Sequence, residues 1–301
     1  MNRRLRLLLL AAPAALCLAL APGPRCAGDA GELNVDSPDL TPDSRRAVQR
    51  GLEWLAANQN ANGSWTCRVG YKLNETYNGS DDEHVCATAL ACMAFLAAGN
   101  TPERGKYARN VARGLDYVLS CADTRTGYIS SRGTRMYEHA FATLFLAEVY
   151  GMTQREDIRE KLKAAAYLIV RSQNKEGGWR YQPTPIDADL SVTVSTLQAL
   201  RAARNVGISV PKSTIDAAVR YVKACSGNSD GSFSYQLMSD GMTRTSFALT
   251  AAGVVALYSA GEYDSREVKG GLQYLRRRAG DYRNQNDYHF FYGHYYAVQA
   301  M

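Results

Sequence analysis

Hydrophobic and polar positions alternate along this chain in two styles. The first part of each unit, in units near 45–99, 108–151, 158–207, 213–261 and 265–301, places apolar residues at intervals of three and four and keeps a charged face, the pattern of an amphipathic helix with one side in water. Between them lie runs with almost no charge, including Ala87 to Ala98, Ala140 to Tyr150, Val192 to Ala203 and Phe247 to Ala260. A helix apolar on nearly every side must be enclosed. The two styles therefore predict outer and inner helices in alternation, with Gly- and Asn-rich turns between them.

The alternation has a period. Arg50, Gly51, Leu52, Trp54, Leu55, Gln59, Gly63 and Trp65 reappear as Ala164, Ala165, Ala166, Leu168, Ile169, Gln173, Gly177 and Trp179, with copies starting at Gly114 (Tyr117, Val118, Gly127, Tyr128), Ala218 (Tyr221, Val222, Gly231, Phe233) and Gly271 (Tyr274, Leu275). Unit starts at 51, 114, 165, 218 and 271 are separated by 63, 51, 53 and 53 residues. Such a repeat marks stacked helix pairs, none able to bury its apolar face alone. The expected fold is all-α, with about five hairpins near 45–99, 108–151, 158–207, 213–261 and 265–301 curved into concentric inner and outer rings. Inner helices are expected near 84–98, 139–150, 189–204, 243–260 and 288–301.

Outside the repeats, Arg3, Arg4 and Arg6 precede an apolar run from Leu7 to Leu20 and small residues around Cys26 to Ala30. That order is a signal peptide, so residues 1–28 are assigned to export, 29–44 to a linker and 45–301 to the repeat domain, with a secreted or periplasmic location. No later run is long enough to span a bilayer. Removing the leader leaves 31 basic and 29 acidic residues, too balanced for a phosphate-binding face, so nucleic acid is excluded as a partner. Arg276, Arg277 and Arg278 read as a solvated helix end. Five cysteines remain with no Cys-x-x-Cys pair, which argues against a disulfide framework or zinc knuckle and leaves Cys67 with Cys86 as the one bridge to consider. Asn74-Glu75-Thr76 and Asn78-Gly79-Ser80 fit the glycosylation sequon.

Arg50-Gly51, Trp54-Leu55, Gln59, Gly63 and Trp65 resemble the QW motif of squalene/hopene cyclases. The resemblance implies the α/α-toroid shared by those cyclases and protein prenyltransferase β subunits, and it covers about 45–301. A closed toroid of that kind takes a sixth pair, so the ring is expected to be incomplete. In the motif, Gln59 is expected to bond free carbonyls at the end of an outer helix, and Trp65 to cover the seam between repeats.

Aligning inner-helix starts puts His84, His139 and Asp189 in register, each followed four residues later by Thr88, Thr143 or Thr193. His289 occupies that place in the fifth unit and Thr243 in the fourth. These residues read either as helix caps with small packing partners or as a polar ring orienting a ligand, with Tyr292 and its neighbours Tyr288, Phe290, Phe291, Tyr295 and Tyr296 supplying aromatic surface. Neither metal nor cofactor is expected, since facing inner helices stand about 8–10 Å apart and the His/Asp set would have to bridge long spans.

Asp187-Ala188-Asp189-Leu190-Ser191 resembles the Asp-x-Asp-Asp-Thr motif of class II terpene cyclases, which implies Asp189 as the protonating acid and Asp187 as its neighbour, acting on an isoprenoid. Leu190 replaces the third Asp, and cyclases usually have two helical domains. Prenyltransferase chemistry would need an Asp-x-Cys triplet, and thioester chemistry a Gly-Cys-Gly-Glu-Gln segment; both are absent. A polysaccharide-acting toroid would pair Asp187 with Glu138 or Glu83. The expectation is an exported toroid that holds an apolar or amphipathic small molecule, or an unidentified protein, in its centre, with a cyclase using Asp189 as the rival.

Overall fold

The computed structural model describes residues 41–69, 80–131, 135–237, 244–282 and 289–301. The leader, the Asn74 sequon, Asn78 and Gly79 of the second sequon, Thr243 and Tyr288 lie outside them.

Ten helices are present among the described residues. The outer series is α1 (Pro42–Ala57), α3 (Ala108–Ser120), α5 (Glu156–Arg171), α7 (Lys212–Ala224) and α9 (Arg266–Arg278), and the inner series is α2 (Val85–Ala97), α4 (Met136–Thr153), α6 (Leu190–Asn205), α8 (Phe247–Ser259) and α10 (Phe290–Ala300). Each inner helix packs on the next, and each outer helix from α3 onward packs on the inner helix before it. All residues of α6 from Leu190 to Leu200, and of α8 from Phe247 to Leu257, are buried. The outer helices bury only one stripe, Val111, Gly114, Leu115, Val118 and Leu119 in α3, for example. This is the all-α toroid the two apolar patterns predict. Large apolar side chains stay exposed toward both ends of the series, including Trp54 on α1 and Phe291 and Val298 on α10.

The long first loop contains an antiparallel ribbon, β1 (Thr66–Val69) with β2 (Ser80–Glu83), in which Cys67 stands opposite Asp82. Cys86 lies in the first turn of α2, and Cys67, Cys86, Cys92, Cys121 and Cys225 are all free thiols, so the Cys67–Cys86 bridge is not formed.

The repeat motif has a physical explanation at the seams. Gln59 Nε2 donates to Gly63 O and, across the seam, to Asn110 O of α3, both at 2.9 Å. Gln173 does the same with Gly177 O at 2.8 Å and Thr214 O of α7 at 2.9 Å. The indole N–H groups close the outer helices: Trp65 Nε1 donates to Leu55 O at 2.9 Å and Trp179 Nε1 to Ile169 O at 2.7 Å. The glutamine thus bonds carbonyls on both sides of the seam, and Trp65, lying against Gly114 of α3 as expected, also satisfies a free carbonyl of its own outer helix. Gly63 and Gly177 have φ of 92° and 100°, and a Cβ on either would overlap the backbone of Arg113 or Ala217 in the next outer helix.

Candidate functional site

The inner helices begin on one side of the ring, and the residues before them form its mouth. His84, Arg135, Asp189 and Ser246 are the N-caps of α2, α4, α6 and α8. Four residues on, Thr88, Thr193 and Thr250 accept the backbone N–H of Trp65, Trp179 and Phe233 at 3.0, 3.0 and 3.1 Å. In the second unit that task falls to His139, whose Nδ1 accepts from Ile129 N–H at 3.0 Å. His139 therefore aligns with the threonines rather than with His84 and Asp189, and Ile129 rather than Tyr128 takes the tryptophan position. The sequence register was displaced because the loop before α4 is short, and Ser246 replaces Thr243 as the fourth cap.

These bonds decide what the aligned residues do. His139 is fully buried, its Nε2 donates to Ala165 O at 3.0 Å, and burial pushes its pKa down to about 4. Thr143 is fully buried and donates to His139 O at 2.6 Å. Thr88, Thr143, Thr193 and His139 hold backbone and present nothing to a ligand.

His84 accepts Cys86 N–H at Nδ1 (3.2 Å), which places its ring proton on Nε2, 2.5 Å from Glu138 Oε1. The approach is too oblique for a directed hydrogen bond, so opposite partial charges hold the contact. Glu138 is 2% exposed, and its Oε2 accepts Ser131 N–H at 3.2 Å. Ser131 Oγ accepts Val85 N–H at 3.2 Å, joining the start of α2 to the second unit.

The third and fourth units are built differently. Asp189 is fully buried; its Oδ1 accepts Val192 N–H at 3.0 Å and Ser191 Oγ–H at 2.6 Å, while Oδ2 has no hydrogen-bond partner among the described residues. Burial raises its pKa, against the lowering effects of Ser191, the Val192 amide and Arg180. Tyr137 O–H meets Ser191 Oγ, completing a Tyr137–Ser191–Asp189 chain. Tyr181 and Tyr235 touch hydroxyl to hydroxyl at 2.5 Å, and the Tyr137 and Tyr181 rings stand 6.1 Å apart. Their backbones cap the preceding helices: Met136 N–H donates to Tyr181 O at 2.9 Å and Leu190 N–H to Tyr235 O at 2.7 Å. Guanidinium groups cover the rings, Arg135 at 4.7 Å and Arg180 at 5.2 Å from Tyr181, and Arg244 at 4.2 Å from Tyr235. Tyr137, Tyr181 and Tyr235, with their arginines, were missed in the sequence. The signal was there, since Tyr181 and Tyr235 each fall two residues after the motif's aromatic, as Trp179-Arg180-Tyr181 and Phe233-Ser234-Tyr235.

Asp187 is exposed and paired with Arg180 at 3.0 Å, away from the buried Asp189. Among the described residues no contact joins it to Glu138 or Glu83. His289 caps α10 with φ 57°, and its ring is 6.2 Å from Tyr292. Tyr292 O–H reaches Ser191 O at 3.5 Å, Tyr295 packs edge-on against Phe141 of α4 at 6.0 Å, and Tyr296 is fully buried. Side chains of α10 thus reach across to the walls formed by α4 and α6, where the sequence reading expected room for an apolar molecule. Among the described residues no three metal-ligating side chains gather, and no described helix is long and apolar enough to cross a membrane.

The chain matches the model of the squalene-hopene cyclase C-terminal domain over residues 38–142, the region of the first QW-type motif. The chain folds as an α/α-toroid, and over those residues it is similar to the squalene-hopene cyclase family. No curated protein sequence matches it. Among solved structures, this toroid resembles the unsaturated glucuronyl hydrolase responsible for glycosaminoglycan degradation from a Bacillus species, with TM-score 0.61 at 12% identity over 86% of this chain and 80% of the other. It resembles the cellobiose 2-epimerase of Bacillus thermoamylovorans, with TM-score 0.51 at 13% identity over 68% of this chain and 61% of the other. A type II terpene cyclase from Scytonema, in complex with geranylgeranyl dihydroxybenzoate, gives TM-score 0.51 at 15% identity over 82% and 65%. The toroid spans less than two thirds of the epimerase and of the terpene cyclase. At these identities the likeness concerns the fold.

Proposed function

We propose that this protein is an exported binding toroid that seats a hydroxylated ring, a carbohydrate, on the tyrosine–arginine side of its mouth. The observation that carries the reading is the Tyr181–Tyr235 hydroxyl contact between consecutive repeats, flanked by Arg135, Arg180 and Arg244 on the ring faces. Partly exposed tyrosines offer a flat apolar face and a hydroxyl together, which suits a sugar, whose C–H faces stack while its hydroxyls bond. Two of the structural neighbours named above act on sugars, in keeping with this choice. The basic, apolar and small segments of 1–28 support export.

Asp189 gives a second reading its support. A buried carboxyl with a raised pKa and a free Oδ2 has the makings of a general acid, as a cyclase acting on an isoprenoid requires. Against it stand the Val192 N–H bond, Leu190 at the third motif position, and the tyrosines of α10 across the lumen.

Isothermal titration of the mature protein against neutral and acidic oligosaccharides and against polyprenyl compounds separates the two. The carbohydrate reading expects saccharide binding that weakens at least tenfold in Tyr235→Ala. Binding and turnover of the polyprenyl compound alone, lost in Asp189→Asn, overturns it.

A further inference from the structure

We infer that the sugar this mouth selects is an acidic one, a uronate whose carboxylate is taken by the Arg135 guanidinium beside Tyr181. The inference rests on the carbohydrate reading and narrows it.

Three arginines from three different loops converge here. Arg135 is the N-cap of α4, Arg180 follows the third repeat's tryptophan, and Arg244 lies just before α8. The guanidinium carbon of each lies over a tyrosine ring. A stacked guanidinium spends its π face on the aromatic and keeps its in-plane N–H donors for another partner. In-plane donors in a rigid fork match a carboxylate, which accepts two parallel bonds. The tyrosine beneath also fixes the side chain, so little rotamer freedom remains to be lost when an anion arrives.

The charges nearby are unevenly used. Arg180 already binds the Asp187 carboxylate at 3.0 Å, so this mouth holds a carboxylate against an arginine–tyrosine stack within its own chain. Arg135 is exposed, stacks on the same ring, and has no ion pair among the described residues. Arg180 is felt by both Asp189 and Tyr235, and Arg244 by His289, so the two positive charges act toward the mouth. A neutral sugar needs the tyrosines but leaves Arg135 without a partner. A uronate uses both, its hydroxyls at the tyrosine hydroxyls and its carboxylate on Arg135.

The test compares tetrasaccharides of galacturonate and of glucuronate with their methyl esters, which keep the ring and remove the charge. The acid form of at least one series is expected to bind at least tenfold more tightly than its ester, with the preference shrinking as salt rises. In Arg135→Gln the acid-to-ester ratio should fall toward one, and circular dichroism of the same variant checks its fold. Equal affinity for acid and ester in the wild type overturns the inference while leaving the carbohydrate reading in place. Failure of every saccharide, acidic or neutral, overturns both.

Discussion

The two halves of the mouth are made by the same repeat and do opposite things with polar side chains. Where α2 meets α4, His84, Glu138 and Ser131 engage one another and backbone, and even Glu138 Oε1, which takes no hydrogen bond, faces the His84 ring. Where α4 meets α6 and α8, the equivalent positions carry Tyr181 and Tyr235 in place of Ser131, guanidiniums stack on them, and Asp189 keeps one oxygen free. The first half resembles a structural joint and the second a surface waiting for a partner. A polar group bound entirely within the fold stabilises it, while one held in place but incompletely bound can serve a ligand.

Mutations should separate the halves. Glu138→Ala removes a buried carboxylate that accepts the Ser131 amide and faces the His84 ring, at a cost of about 3 kcal/mol, read by urea unfolding. Loss of under about 1 kcal/mol there would erase the distinction drawn between the halves.

Acid should act almost as strongly through His139. Its folded pKa of about 4 lies below the ordinary value near 6.5, so between those pH values the unfolded chain takes up a proton that the folded chain refuses. Stability from this group falls as pH falls through that window, by about 3 kcal/mol in all. Asp189 has the opposite sign, its raised pKa letting the folded state take its proton first as pH drops. His139→Thr, the residue three other repeats use, is expected to flatten the pH slope measured by thermal unfolding between pH 7 and pH 4.5. An unchanged slope would assign it to other groups.

Smaller effects grade the rest. Gln173→Ala removes two hydrogen bonds, one of them across the seam to Thr214, and is expected to cost about 2 kcal/mol by chemical denaturation. Asp189→Asn keeps an oxygen for the Val192 N–H, so its cost should stay under about 1 kcal/mol, against about 1–2 kcal/mol for Asp189→Ala. Tyr181→Phe, losing one hydroxyl contact at a partly exposed ring, should change stability by less than about 0.5 kcal/mol and show mainly in saccharide titrations.

The fold was readable because burial is periodic. The uncharged runs became α6 and α8, and Gln59, Gly63 and Trp65 could be matched to Gln173, Gly177 and Trp179 because each pair does the same work in its own unit, the glutamines bonding the next outer helix and the tryptophans their own. The mouth was readable only in part. Asp189 and His84 were found as caps, but alignment by residue type put His139 beside them, whereas its ring does the work of a threonine. Nothing in a single sequence distinguishes a histidine that caps a helix from one that receives a loop amide four residues later. The ribbon of β1 and β2 was hidden because Thr66–Val69 and Ser80–Glu83 are four residues each and lack apolar alternation. The tyrosines escaped because their meaning lies in which neighbour they reach, Tyr181 in the third unit meeting Tyr235 in the fourth.

The carbonyls of Tyr181 and Tyr235 and the hydroxyl of Ser131 each complete the first turn of the inner helix in the unit before. Every one of these dependencies points the same way, from a unit to its successor. On a ribosome adding roughly 5–20 residues each second, a hairpin therefore waits some seconds for its successor's loop before its own inner helix is fully bonded. The growing chain thus always carries one unfinished end, and that end moves along with synthesis, leaving completed structure behind it.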